Sequence, residues 1–274
     1  MSNEESDGRS SSLPVAVPSW RTAVDGRSGA VVGSSLPLVV LVVLVVTWHA
    51  VVVVHEIPAL VLPSPVDVGA ALLETYPTLL EDAAVTAATA GAGLLVGGTV
   101  GLLLAFVMTY SRRATSMLLP YVLALRIAPI IAIAPLLFLW FGRGIPVRAA
   151  LVATLTLFPM TVATLDGLRS TPTSYTDLMR SVGAPRTAVF LRVRVPAAAP
   201  SVFAGFKIAA TLSVIGAVVA EFVTLEGGLG YRVFHASTYL RTAESFAALL
   251  VLSTLGVVFY LVPAVLERRY RDRL

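Results

Sequence analysis

Residues 36–54 read LPLVVLVVLVVTWHAVVVV, nineteen positions without an acid, lysine or arginine. About 20 apolar residues in a row span a bilayer's hydrocarbon core. A secretory h-region is shorter, and no small-residue cleavage site follows this one, so it reads as an uncleaved first span. Five further apolar runs lie at roughly 87–110, 117–141, 147–165, 201–223 and 246–266. Within lipid each backbone polar group needs a partner inside its own segment, so runs of this length are helices. The fold class expected is all-α, a polytopic membrane protein with six transmembrane helices. Composition agrees: the 274 residues are 57% hydrophobic and 13% charged, about half the usual charge of a soluble domain.

Arginine placement orients the spans. Fourteen arginines fall in the tail 1–35, the second-to-third connection, the connection 166–198 and the C-terminus; four fall on the other side. Connection 55–86 carries no basic residue but has Glu56, Asp67, Glu74, Glu81 and Asp82. The positive-inside rule then puts both termini in the cytoplasm of a multi-pass inner-membrane protein. Residues 1–35, rich in Ser, Gly, Arg and Asp, read as a disordered cytoplasmic tail. Segment 36–86 is the first span plus an external stretch, 87–270 the five-helix core, and 271–274 a short tail. Basic residues on that scale are expected of a membrane chain, so the pI of about 9.7 calls for no nucleic acid.

Catalytic chemistry finds little footing. The chain has no cysteine, and its only lysine, Lys207, is followed by Ile208, so it carries no P-loop. His49, His55 and His235 lack metal-ligand spacing, and no metal or other cofactor is expected. The chain reads as something other than an enzyme.

The connection 166–198 is more informative. Ser174 and Asp177 sit at capping-box spacing. Tyr175, Leu178, Met179 and Val182 recur at i, i+3, i+4 and i+7, one apolar stripe on a short helix. Gly183 stands where a left-handed cap would close it. Pro185 fits the first turn of a second helix that ends before Pro196. The stripe needs cover: its own bundle, the lipid surface, or a partner's groove.

Asp177-Leu178-Met179, Gly183 and Val193-Arg194-Val195-Pro196, at those spacings, resemble the EAA loop of ABC importer permeases. Flanking motifs are similar to the nitrate/sulfonate/taurine branch: Leu62-Pro63-Ser64-Pro65, Ala134-Pro135-Leu136, Trp140-Phe141-Gly142, Asp166-Gly167-Leu168-Arg169, Gly216 to Phe222 and Gly228-Leu229-Gly230-Tyr231. The stretch Ala210 to Val219 also looks like permeases for pyrimidine-type vitamin precursors or riboflavin. The resemblance implies a permease homodimer in membrane lipid, on two cytoplasmic ATP-binding cassette subunits, fed by an extracytoplasmic substrate-binding protein. It makes 174–183 the coupling helix, with Ala184, Pro185 and Arg186 beside it in the ATPase contact. Leu178 and Met179 stand where the family has alanines, which implies a groove that takes larger side chains. The solute implied is a small anion of the sulfonate, taurine, nitrate or bicarbonate kind, or a pyrimidine or vitamin precursor. The rival readings are an ATP-independent secondary transporter and a membrane assembly or docking protein.

Several membrane positions carry two readings. Gly93, Gly97 and Gly101 form a small-residue ridge, for packing or for a moving interface. Pro129 and Pro135 either kink the third span or break it open to the pathway. Arg126 either snorkels or faces the bundle interior, and Glu221 is a gate or a structural ion pair. Thr211, Ser213 and Gly216 either line a cavity or, for the hydroxyls, bond their own backbone. Lys207 is expected to snorkel, and Trp140 and Tyr231 to belong to an interfacial belt.

Overall fold

The computed structural model describes residues 29–272, and side chains from Leu36 onward. Ten α-helices follow one another among these residues, with no strand. The chain divides into two compact units, one ending at Ala50 and one beginning at Val51.

The first unit holds most of α1 (Gly29–Val54). This helix is apolar on every face, as a lipid-embedded span is. It begins at Gly29, so the disordered tail expected for 1–35 is too long by seven residues; the remainder lies outside the described residues.

In the second unit α2 runs unbroken from Pro65 to Tyr110. The stretch expected as an external connection up to residue 86 is therefore mostly helix. Its start is written locally: Ser64 Oγ accepts the Asp67 amide at 3.2 Å, Asp67 Oδ2 accepts the Ser64 amide at 2.9 Å, and Pro65 sits where no amide is needed.

The third apolar run is two helices, α3 (Arg112–Ile127) and α4 (Ile130–Phe141), bent by 94° at the break. Ala128 takes ψ 131° because the ring of the following Pro129 excludes the helical region. Pro135 lies inside α4 and does not interrupt it. Among the described residues, five helices are long and apolar enough to cross a membrane, or six if this bent pair counts as one span.

Helix α5 (Ile145–Arg169) is the centre of the second unit, making its two largest interfaces with α2 and with α8 (Val195–Thr224). Small residues permit the approach. A β-carbon on Gly97 would lie 2.1 Å from Thr156 Oγ1 and 2.4 Å from the Ala153 carbonyl; one on Gly205 would lie 2.6 Å from Ala163 Cβ. The Gly93–Gly97–Gly101 ridge is thus in intimate contact with α5. Ala90, Val152, Val214 and Ala217 knit the three helices together, with Leu252 and Phe259 of α10 (Thr242–Arg271) against them.

Between α5 and α8 come α6 (Thr173–Ser181), α7 (Arg186–Val189) and one wide π-helical turn, Phe190–Arg194. The second helix expected to stop before Pro196 instead continues through it into α8. Pro196 brings no amide and crowds the turn before it. The widened turn, in which the Val195 amide reaches the Phe190 carbonyl, lets the helix pass. After α8 a glycine-containing turn leads to α9 (Leu229–Thr238), a short element absent from the expected list of spans.

Candidate functional site

Helix α6 stands on a fixed base. Gly167 at the end of α5 has room for no side chain, since a β-carbon there would lie 2.7 Å from Ser201 Cβ. Leu168, Phe190 and Ala198 bury together beside it. From this base Thr176 turns inward, while Tyr175, Leu178 and Val182 remain 59%, 63% and 71% exposed; Met179 is half-buried. Three of the four stripe residues thus lack cover among the described residues.

The ends of α6 differ from expectation at one side only. Pro172 is the N-cap and no side chain caps the start, so the Ser174–Asp177 box does not form. The helix begins immediately after the proline, which places Ser174 inside the first turn. Asp177 pairs instead with Arg180 at 3.1 Å, both well exposed. At the other end Gly183 has φ +73°, the Gly183 amide donates to Arg180 O and the Ala184 amide to Met179 O, each at 3.0 Å. That pair of bonds is the Schellman closure. Pro185 N-caps α7, and Arg186 is exposed at its start.

The expected pathway residues do not converge on one wall. Arg126 lies with its guanidinium 4.4 Å from the centroid of the Phe158 ring. It lines a cavity of about 240 Å³ with Thr154, Phe158, Pro159 and Leu212. Thr211 faces a different groove, between α8 and α10, and back-bonds to the Ile208 carbonyl at 2.9 Å. Ser213 is fully buried and donates to the Ala210 carbonyl at 2.8 Å; Gly216 packs on Leu155 of α5. Pro129 sits at the α3–α4 break and Pro135 is exposed on α4. Lys207 bonds Glu267 of α10 at 2.7 Å.

Glu221 is fully buried and in no ion pair among the described residues: its Oε2 accepts the Gly230 amide at 2.8 Å. It belongs to an arrangement that sequence reasoning missed. The Gly228 amide donates to Asp82 Oδ1 at 3.0 Å and the Leu229 amide to Thr86 Oγ1 at 2.8 Å. Arg232 Nε donates to Asp82 Oδ2 at 2.8 Å. Three successive amides of the turn into α9 are thereby held by α2 and α8. Gly228, at φ +100°, would put a β-carbon 2.3 Å from Glu221 Cδ, so no other residue fits. Nearby, Arg148 of α5 is 4% exposed, donates through Nε to the Arg143 carbonyl at 2.9 Å, and faces Glu226 at 3.4 Å. The spacing of Asp82 and Thr86, one turn apart, was the available signal.

Residues 97–272 match the family model described as "Binding-protein-dependent transport system inner membrane component". The chain belongs to that family. This permease is 36% identical over 224 residues to a probable ABC transporter permease of Haemophilus influenzae, covering 82% of this chain and 91% of that one. It is 35% identical over 198 residues to the formylaminopyrimidine transport permease of Halalkalibacterium halodurans, covering 72% and 79%. Against the putative aliphatic sulfonates transport permease of Escherichia coli the figures are 30% over 227 residues, 82% and 86%. A solved structure titled as an amino acid ABC transporter with histidines superposes with TM-score 0.58 at 16% identity, over 74% of this chain and 96% of that one, and shows the shared fold. The permease is a multi-pass inner-membrane transport subunit and not itself an enzyme; ATP hydrolysis belongs to a separate ATPase subunit. Neither rival reading, the ATP-independent transporter or the docking protein, finds support.

Proposed function

We propose that this permease lines the pathway for a small planar nitrogen heterocycle, and that α6 is the helix through which a separate ATPase drives it. The observation that carries the reading is the stripe Tyr175, Leu178 and Val182. It is apolar and exposed on a short helix closed at its C-terminus by Gly183. Such a helix is built to lie in a partner's groove, its anchors one turn apart. Asp177, Ala184, Pro185 and Arg186 border the same contact.

On this reading ATP closes the ATPase pair, α6 follows, and the bundle shifts between its two arrangements. The energy is the difference in affinity of each arrangement for its ligands. A second copy of the chain covers the exposed apolar residues around the α3–α4 break, including Ile131, Leu139 and Trp140. That pairing places Arg126 and Pro129 beside the pathway and off the lipid, where a charge would be costly. An external binding protein delivers the solute, and the arginine asymmetry puts α6 and both termini in the cytoplasm.

Two observations support the solute class: the formylaminopyrimidine permease, at 35% identity, is more similar than the aliphatic sulfonates permease of Escherichia coli, at 30%, and the Arg126 cavity is walled by Phe158, Leu155 and Leu212. A sulfonate-type anion is the second reading, favoured by the absence of any carboxylate beside Arg126 among the described residues.

A photo-crosslinking amino acid at Leu178, in native membranes, tests the coupling role. The expected product joins this chain to an ATP-binding cassette subunit. Cross-links to lipid or to this chain alone would sink the proposal. Competition of labelled formylaminopyrimidine uptake by taurine separates the two solute readings.

A further inference from the structure

Two adjoining clefts lie where α2 ends and α3 begins, on the α6 side of the bundle. The first, about 430 Å³, is lined by Arg180, Arg186 and Arg194 with Tyr110 and Phe190. The second, about 740 Å³, shares Arg194 and adds Arg112 and Arg169. Five arginines thus face two connected spaces that no acid lines. Arg180 is paired with Asp177, and Arg169 donates to the Thr115 hydroxyl at 2.7 Å. Arg112, Arg186 and Arg194 are in no ion pair among the described residues.

The walls are not those of a site for a free ion. Met108, Leu119, Pro120 and Leu123 line the second cleft, and Leu123 is 41% exposed. Arginines and an apolar wall contributed by α3 therefore border one space. Guanidinium groups meet phosphate oxygens in a bidentate fork, and basic pockets between spans suit anionic headgroups.

We propose that these clefts bind an anionic phospholipid, its phosphate held by Arg112 and Arg194 and an acyl chain laid against Leu119 and Leu123. The site is separate from the exposed stripe of α6. Ala184 and Arg186 of the first cleft also border the ATPase contact proposed above, but the phosphate and acyl contacts named here lie in the second cleft, and lipid retention by the isolated chain tests them apart from that function.

The test uses the full-length chain, purified in neutral detergent and mixed with equal amounts of phosphatidylglycerol and phosphatidylcholine. Native mass spectrometry then counts retained lipid. The wild-type chain is expected to retain phosphatidylglycerol selectively. Arg112→Gln and Arg194→Gln should each lower that retention by about fivefold, the weight of one basic residue beside an anionic surface. Arg113→Gln, whose side chain lines neither cleft, should leave it unchanged. Leu119→Trp keeps every arginine but fills the apolar wall, and should also reduce retention. Equal retention of the two lipids by the wild type would overturn the proposal. So would an equal loss in Arg113→Gln, displacement of the lipid by excess inorganic phosphate, or unchanged retention in Leu119→Trp.

Discussion

Replacing Gly183 isolates what the left-handed cap does for α6. The residue sits at φ +73°, and a β-carbon built there meets nothing within 4 Å. Alanine therefore adds no clash, only the backbone cost of an L-residue in that region, about 1–2 kcal/mol. The two closing bonds, from Gly183 to Arg180 and from Ala184 to Met179, are what the alternative backbone gives up. A helix of nine residues is too short to hold itself in water, and most of its stripe has no cover among the described residues. Few contacts resist fraying, so the cost falls on the population of the closed helix, a factor of about 5–30. Titrating detergent-solubilised permease with its ATPase should show Gly183→Ala binding more weakly by up to that factor. Gly183→Asn, which tolerates the left-handed region better, should lie between. Uptake per ATP should fall in the same order, with the thermal stability of the bundle unchanged. Alanine binding as tightly as glycine would refute the claim that this cap prepares the docking helix.

Three further outcomes follow from the packed core. Gly97→Ala forces α2 away from Thr156 and Ala153 and should cost about 1–3 kcal/mol, whereas Gly98→Ala, whose β-carbon comes no nearer than 3.9 Å to Met160, should be silent in the same thermal unfolding assay. Gly228→Ala combines a strained φ with a clash on the Glu221 carboxyl and should lose about 2–5 kcal/mol, read as loss of detergent-stable protein. Asp82→Ala leaves the Gly228 amide buried without its acceptor and Arg232 without its carboxylate, at about 2–4 kcal/mol; Asp82→Asn keeps one acceptor and should recover part of the lost melting temperature.

What could be read from the sequence was local. The spans showed because each must satisfy its own backbone in lipid, and α6 showed because its stripe and Gly183 lie within one nine-residue stretch. The errors have local causes as well. Pro172 starts α6 directly, which moves Ser174 out of the capping position and leaves Asp177 for Arg180. Pro129 sets the backbone of Ala128, yet how far the run would bend depends on what α4 packs against. The Asp82–Gly228 and Asp82–Arg232 bonds join residues 146 and 150 positions apart, and no periodicity in one sequence reports such a pairing. The Lys207–Glu267 pair, its members 60 residues apart, was out of reach for the same reason.

The distribution of tight and loose contacts bears on how a push at α6 would travel. At its base, Gly167 meets Ser201 and the Leu168–Phe190–Ala198 cluster joins α5 to the start of α8. Further along, Gly205 and Gly216 seat α8 on α5, and Gly93, Gly97 and Gly101 seat α2 there. Close-packed interfaces of this kind move as blocks and do not deform gradually. The far end is tied too, since the turn into α9 is held by Asp82 and Thr86 of α2 and by Glu221 of α8. If α6 is driven by the ATPase, α2, α5, α8 and α9 must then turn together. Relative motion has to be taken up elsewhere, and α4 is the helix with only modest contacts to α5 and α8. It is joined to α3 through Ala128 and Pro129, where no helical bond crosses the proline nitrogen. The Arg126–Phe158 contact fits the same argument: it ties the last turn of α3 to the rigid block two residues before the break at Ala128.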